Sequence, residues 1–311
     1  TESFGLFNRM LLQLSKHVLW RPSLRGWTPG YFNTVMNDLD GRIAVSNATA
    51  AMWNDLYPGD YRVISNGFDT HGFTPEGPLI EEWKNDGKKT LFFAGRHDER
   101  KGIKYLIEAF AYLQQNLGRS DIKLKIAGEG VETPKLKQLV QQLGLQDVEF
   151  LGILSPEDLK KAYRTADVTV CPSIGGEGFG RVIAESLSSG TPVVASRING
   201  YMEVVNDTQP FARLAEAGNP IDLARKIISL VDLPEERKPQ NKYEGREYVV
   251  YNYDWEKIAD ITADYYRECI EKHGTTPPTD WPKKPRGKEM RRLNKIGRVV
   301  FDRLAHLGEA A

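Results

Sequence analysis

Residues 168–188, V-T-V-C-P-S-I-G-G-E-G-F-G-R-V-I-A-E-S-L-S, contain the features from which the rest of the chain is interpreted. The apolar run Val168 to Cys171 has the length of a buried strand, and residues 182–188 have the apolar spacing of a helix. Between them, glycines at 175, 176, 178 and 180 let consecutive backbone N–H groups face a ligand. The stretch therefore predicts a strand, a binding loop and a helix in that order.

The same order repeats along the middle of the chain. Strands are predicted at residues 90–94, 124–127, 148–151, 168–171 and 192–195, and helices at residues 103–117, from Thr133, from Ser155 and at 182–188. Thr133 and Ser155 each precede a proline, as an N-cap residue precedes a first helical position. The strands show little alternation of polarity, which predicts a parallel sheet covered on both faces: a doubly wound α/β domain. Ligands of such domains bind beyond the carboxyl ends of the strands.

The N-terminal third is less regular. Residues 4–18 have helical spacing, residues 21–30 are typical of a loop, and Ser46 is predicted to cap a helix that runs to Leu56 between short strands at residues 42–46 and 62–65. Residues 70–89 are rich in glycine, proline and charge, so we expect a linker with a domain boundary near Gly72.

Composition excludes some classes of protein. Among 311 residues, 42 Lys and Arg balance 42 Asp and Glu, which argues against a nucleic-acid partner and against disorder. Cys171 and Cys269 lie far apart without metal-ligand spacing, as expected of free thiols in a reducing compartment. No apolar run approaches the ~20 residues of a membrane span. We therefore expect a cytoplasmic location and no metal.

Two loops at predicted strand ends carry candidate binding residues. In residues 94–102, Gly95 allows close backbone approach, and Arg96, Arg100 and Lys101 place three cations near a helix start, which suits a diphosphate. A solvated, charged loop is the alternative interpretation. The Gly128 turn of residues 127–130 also follows a strand, but a tight turn explains it equally well.

Two acidic residues flank the glycine loop. Glu177 lies among the glycines, where a carboxylate would repel phosphate but would accept hydrogen bonds from sugar hydroxyls. Glu185 lies about two turns into the helix and is predicted to reach a ribose diol, because helical side chains lean toward the N-terminus. The alternative for Glu185 is an (i, i+4) pair with Arg181.

Together these motifs resemble the retaining glycosyltransferase family 4, and in particular its phosphatidylinositol-mannosyltransferase-like subgroup. Glu177 and Glu185 are similar to its E-x7-E signature, and Gly95-Arg96 with Lys101-Gly102 to its phosphate-binding loop. Further similar stretches are Ile43-Ala44-Val45-Ser46, Asn66-Gly67-Phe68-Asp69, Glu203-Val204-Val205-Asn206-Asp207 and Tyr253-Asp254-Trp255. The resemblance extends from about Arg42 to Lys272.

The resemblance implies the glycosyltransferase B architecture and a donor site for a GDP- or UDP-sugar that needs no cofactor. Arg96, Lys101 and Glu177 are the candidate catalytic residues: the two cations would stabilise the departing diphosphate, and Glu177 would hold the transferred hexose. The other implied donor-binding residues are Gly95, Gly128, Leu151, Ile153, Gly178, Phe179, Gly180 and Glu185. Glu185 would bind the ribose, and the Gly128 turn with Leu151 and Ile153 would flank the base.

The resemblance also implies four regions. Residues 1–70 would be the end of an acceptor-side Rossmann-like domain, 71–250 the donor domain, 251–274 a closing helix, and 275–311 a Pro-rich linker followed by a basic amphipathic helix. The family's acceptor glycine loop and histidine cannot be placed, so we expect an N-terminal portion to be missing. Residues 210–217 depart from the strand that the family has there.

The C-terminal segment suggests a surface partner. Residues 283–306 contain nine Lys and Arg against two acidic residues, with an apolar stripe at helical spacing. Such a helix over residues 283–307 binds an anionic membrane surface on the cytoplasmic face, or packs on protein; both interpretations stay open. The predicted function is transfer of a hexose from a nucleotide sugar to a saccharide or lipid acceptor. A non-catalytic nucleotide-sugar-binding or membrane-surface module and a sugar-nucleotide epimerase are the alternatives.

Overall fold

The computed structural model of the chain describes residue 36 and residues 39–234 and 236–273. The predicted helix at residues 4–18, the loop at 21–30, and the linker and basic helix of residues 275–311 lie outside these residues. The described residues up to Arg267 belong to one compact unit, and residues 268–273, which end the last helix, belong to a second.

A six-stranded parallel sheet forms the centre of the first unit. Its strands are β3 (Lys89–Ala94), β4 (Ile122–Ala127), β5 (Val148–Gly152), β6 (Val168–Cys171), β7 (Val193–Ser196) and β8 (Ala212–Ala215). Their order is β5-β4-β3-β6-β7-β8, with every pair parallel. The chain winds outward from β3 to β5 and then crosses to β6 on the other side of β3. The order therefore reverses between β3 and β6, where ligands of doubly wound folds bind.

Helices cover both faces of this sheet, as the sequence predicted. They are α2 (Ile103–Ala111), α3 (Thr133–Gln142), α4 (Pro156–Thr165), α5 (Arg181–Ser188), α6 (Asn199–Met202), α7 (Pro220–Val231), α8 (Lys238–Tyr253) and α9 (Trp255–His273). A π-helical segment, Tyr112–Asn116, continues α2, and short 3-10 helices occur at Glu81–Trp83 and Glu99–Lys101.

Alternation along the strands explains the two-sided core. Leu91 and Phe93 of β3 belong to an apolar cluster with residues of α2, α3 and α7, whereas Phe92 and Ala94 belong to a cluster with residues of α4. Successive strand residues point to opposite faces, so both must be apolar when both faces are covered. A third cluster joins β7 and β8 to α5 and α8.

A small second element precedes the sheet. Strands β1 (Ile43–Ala44) and β2 (Arg62–Val63) pair in parallel, and helix α1 (Asn47–Leu56) connects them. Ser46 caps α1 by accepting the Thr49 N–H at 3.1 Å, as predicted. After β2, Phe68 forms an isolated parallel bridge with Asp254, the residue between α8 and α9.

Three local predictions need correction. Thr133 does not cap α3: it lies inside the helix, and its hydroxyl accepts the Gly130 N–H and contacts His97 instead. Residues 70–89 are not a free linker, because Trp83 is buried and its ring lies 5.8 Å from that of Phe92. Residues 210–217, which depart from the family's sequence pattern, still contain edge strand β8, Ala212–Ala215.

Candidate functional site

The loops that follow β3 and β6 meet at the point where the strand order reverses. The Ile174 N–H donates to the Arg100 carbonyl at 2.9 Å. Gly102 has a φ of 67°, and a Cβ there would lie 2.0 Å from the Pro172 carbonyl oxygen. Only glycine allows this approach, which brings the cationic loop against the glycine loop.

Glu177 is the centre of the resulting cluster. Its Oε1 accepts from Arg100 Nη1 at 2.5 Å and from Ser173 Oγ at 3.2 Å, and lies 2.9 Å from Lys101 Nζ. The Glu177 side chain is 13% exposed. Within the part of the chain that the structure describes, no hydrogen bond ends on Oε2. The arrangement therefore leaves one carboxylate oxygen for a ligand beside two cations.

Arg96 and Arg100, two of the three cations predicted to suit a diphosphate, have different surroundings. The Arg96 side chain is 53% exposed and donates to Asp98 at 2.9 Å, so the structure does not bring it to Glu177. Arg100, which the loop sequence grouped with Arg96 and Lys101 as a cation suited to a diphosphate, contacts both Glu177 and the Gly176 carbonyl. Its position follows from the 3-10 turn Glu99–Lys101, which the sequence pattern did not reveal.

Glycines bring the ends of β3, β4 and β5 together. Gly128 has a φ of 110°, and a Cβ there would lie 1.9 Å from the Gly95 carbonyl oxygen. Its N–H donates to the Gly152 carbonyl at 2.7 Å. The Gly128 turn therefore lies beside the end of β5, where Leu151 and Ile153 are predicted to flank the base. Leu151 is partly buried against the core, whereas the side chain of Ile153 is largely exposed.

The three residues after Glu177 have different surroundings. A Cβ on Gly178 would lie 3.4 Å from Thr49 Oγ1, so the glycine loop faces the start of helix α1. The Phe179 ring is buried, with its centroid 5.2 Å from that of Tyr253. A Cβ on Gly180 would lie 2.9 Å from Ile183. The Phe179 side chain and Gly180 thus contribute to packing, and the prediction for Phe179 concerns its backbone amide.

Glu185 is 6% exposed and engages two partners. Its Oε2 accepts from the Tyr163 hydroxyl at 3.0 Å, and its Oε1 accepts from Arg181 Nη2 at 3.1 Å. The (i, i+4) pair with Arg181 is therefore present. Burial raises the pKa of Glu185, whereas Arg181 and Tyr163 oppose that rise. Tyr163, Ser173 and Tyr201 were not predicted; the Tyr201 hydroxyl lies 2.8 Å from Ser173 Oγ.

Neither cysteine forms a disulfide, and burial raises the pKa of the Cys171 thiol to about 12. Among the described residues, no group of three or more His, Cys, Asp or Glu is arranged to hold a metal ion. No helix in the described ranges has both the length and the apolar character needed to cross a membrane.

Comparison with known proteins identifies the family that this fold and site define. The family model of glycosyl transferases group 1 matches residues 80–247, which is more than half of the chain. The chain belongs to this family.

Phosphatidyl-myo-inositol mannosyltransferase of Mycobacterium leprae is 34% identical over 224 residues, covering 70% of this chain and 56% of that protein. D-inositol 3-phosphate glycosyltransferase of Pseudarthrobacter chlorophenolicus is 31% identical over 243 residues, covering 74% and 56%. The chain thus spans about half the length of the curated relatives it matches.

Solved structures show the same fold. A glycosyltransferase from Rickettsia africae aligns with a TM-score of 0.68 at 22% identity, covering 80% of this chain and 68% of that one. Anabaena Alr3699/HepE, solved with UDP and glucose, aligns with a TM-score of 0.66 at 24% identity, covering 74% and 63%. These neighbours confirm the predicted fold class, a doubly wound α/β domain of glycosyltransferase B type.

Proposed function

We propose that this chain is the donor-binding part of a retaining glycosyltransferase, which moves a hexose from a nucleoside diphosphate sugar to a saccharide or lipid acceptor. The observation that carries the proposal is the Glu177 cluster. One carboxylate oxygen is held by Arg100, Lys101 and Ser173, and the other is left for a sugar hydroxyl. Cations for a diphosphate and an acceptor for a hexose thus lie side by side at the strand-order reversal.

Each predicted residue has a role in this proposal. Lys101 and Arg96 stabilise the departing diphosphate, with Arg96 leaving its exposed contact to Asp98. Glu177 and the amides of Gly178 and Phe179 hold the hexose, Glu185 holds the ribose, and Gly95, Gly180 and the Gly128 turn allow close backbone approach. Leu151 and Ile153 flank the base. The donor is a GDP- or UDP-sugar, and no metal or other cofactor is required.

The chemical step transfers the anomeric carbon between two oxygens. Its bond to the diphosphate oxygen breaks, and the bonding electrons pass to that oxygen. The acceptor hydroxyl attacks on the same face, and its proton goes to the leaving phosphate. Fixed cations stabilise the charge that develops on the diphosphate, so they lower the barrier more than they stabilise the bound donor.

The names of the relatives support a lipid or polyol acceptor. Two of the curated proteins act, by name, on phosphatidyl-myo-inositol and on D-inositol 3-phosphate. An acceptor in the membrane would suit a cytoplasmic enzyme bound to the anionic inner surface through residues 283–307. Flotation with vesicles that contain anionic lipid and with vesicles that lack it tests that association. Equal flotation with the two kinds of vesicle would contradict binding to an anionic surface.

A thermal-shift panel of GDP-, UDP- and ADP-sugars tests donor binding, because a ligand of the native state raises apparent stability. Release of nucleoside diphosphate from the stabilising donor, when an acceptor is added, tests transfer. An epimerase would instead interconvert donors without acceptor, and a non-catalytic module would bind donor without release. Absence of any shift with all three donors would contradict the proposal.

A further inference from the structure

The Glu185 carboxylate is held by one donor on each oxygen. Tyr163 donates to Oε2 and Arg181 donates to Oε1. Tyr163 is fully buried, whereas the Arg181 side chain is 55% exposed. The carboxylate is therefore fixed from the protein interior on one side and from the start of helix α5 on the other.

The interior donor has little freedom to move. The Tyr163 ring makes edge contacts with Phe92 at 5.3 Å and Phe73 at 5.9 Å between centroids. Its backbone carbonyl accepts the Thr191 hydroxyl at 2.5 Å. Because both the ring and the backbone of Tyr163 are held, its hydroxyl defines where Oε2 of Glu185 can lie.

The two donors also act on the charge of Glu185. Burial favours the neutral carboxyl and raises its pKa, while the Tyr163 and Arg181 hydrogen bonds favour the ionised form. An ionised carboxylate accepts through both oxygens, and each oxygen retains a second lone pair when one is used. A diol can therefore donate to Glu185 without displacing the hydrogen bond from Tyr163 or the one from Arg181.

We propose that Tyr163 and Arg181 are positioning residues that hold Glu185 for the ribose diol, and so set the preference for ribonucleotides over deoxyribonucleotides. This inference rests on the proposed function, in which Glu185 accepts from the ribose. A nucleotide without its 2′-hydroxyl donates one hydrogen bond fewer to this fixed, charged carboxylate, which costs affinity. A carboxylate free to turn would bind both nucleotides more nearly alike.

The test uses the full chain and isothermal titration with UDP, GDP and their 2′-deoxy analogues. We expect the wild type to prefer the ribonucleotide at least about tenfold, as for the loss of one charged hydrogen bond. Tyr163→Phe and Arg181→Gln should each reduce this preference at least about fivefold, chiefly by weakening ribonucleotide binding. Tyr248→Phe is the matched control: the hydroxyl of this α8 tyrosine donates to the Val204 carbonyl at 2.8 Å, so the preference should stay within about twofold of wild type.

The outcomes separate this inference from the proposed function. Tight nucleotide binding with an unchanged preference in both variants would overturn the inference alone. Equal weakening of both nucleotides would show a merely structural role and also overturn it. No binding of any nucleoside diphosphate by the wild type would overturn both. If Tyr163→Phe does not fold, Arg181→Gln, at an exposed side chain, decides the question.

Discussion

Glu177 shows how a carboxylate can lie in a site expected to bind a diphosphate. On its own it would repel phosphate, but Arg100 and Lys101 lie within 2.9 Å of its Oε1. Opposite charges at this separation offset the repulsion, more strongly because Glu177 is mostly buried. The same cations can therefore neutralise Glu177 and face the diphosphate.

Replacing Lys101 tests this at the level of one side chain. In the full chain, Lys101→Ala should lower turnover roughly ten- to a thousandfold, the range found when a preorganised donor to a developing anion is lost. Release of nucleoside diphosphate measures it. Lys104→Ala is the control, because that exposed lysine pairs with Glu108 on helix α2. Normal turnover in Lys101→Ala would show that Lys101 has no catalytic role.

Gly102 is a second residue at which the site depends on one position, here because the residue has no Cβ. Gly102→Ala combines a left-handed φ with a Cβ 2.0 Å from the Pro172 carbonyl oxygen, so about 3 kcal/mol of stability should be lost. Gly118→Ala is the matched control, since its φ is 64° but nothing lies within 4 Å of the new Cβ. It should cost about 1 kcal/mol. Urea unfolding measures both, and equal losses would mean that the loop contact contributes nothing.

Helix α1 illustrates how one element depends on another. Glu203, which follows helix α6, accepts the Ala48 N–H and the Asn47 side-chain amide, both at 3.0 Å. A carboxylate at a helix N-terminus satisfies unpaired N–H groups and interacts favourably with the helix dipole. The start of helix α1 is thereby attached to the part of the chain that is built on the six-stranded sheet.

Glu203→Ala should weaken that attachment. We expect the opening free energy at the Ala48 amide to fall by about 1–2 kcal/mol, so its hydrogen exchange accelerates roughly 5- to 30-fold. Amide exchange followed by NMR or mass spectrometry measures this. Glu82→Ala, at an exposed position in the 3-10 turn, should leave exchange in α1 unchanged. Unchanged protection in Glu203→Ala would show that Ser46 alone holds the helix start.

Element boundaries were predictable where a local signal determines them. Ser46 and Ser155 cap α1 and α4 by accepting N–H groups three residues on, and apolar runs marked β3 to β7. Thr133 is not the cap because its hydroxyl accepts the Gly130 N–H and contacts His97, and only the tertiary structure brings His97 close. Edge strand β8 was missed because its sequence, A-R-L-A, is short and weakly apolar.

The stability of the whole molecule should depend on the buried imidazole of His97. Its Nδ1 lies 2.9 Å from Thr133 Oγ1, and burial lowers its pKa. An unfolded histidine titrates near about 6.5. Below that pH the unfolded chain binds a proton that the native site does not, so stability falls as the pH drops toward the folded pKa, by at most about 1.4 kcal/mol per unit.

Urea unfolding between pH 8 and about pH 5 tests this dependence. His97→Gln should flatten the decline below about pH 6.5 relative to wild type. His71→Gln, at an exposed histidine, shows whether removal of any histidine has the same effect. An equal slope in wild type and His97→Gln would show that other groups account for the acid dependence.

The sequence by itself determined the alternation of strands and helices, the glycine loop and the E-x7-E spacing, because each depends on neighbours along the chain. Only the tertiary structure decided which side chains meet. It brought Arg100 rather than Arg96 to Glu177 and placed Tyr163 against Glu185. The physical reason is that these pairs join residues 22 to 77 positions apart, whose approach depends on sheet order and on close contacts such as that of Gly102 with Pro172.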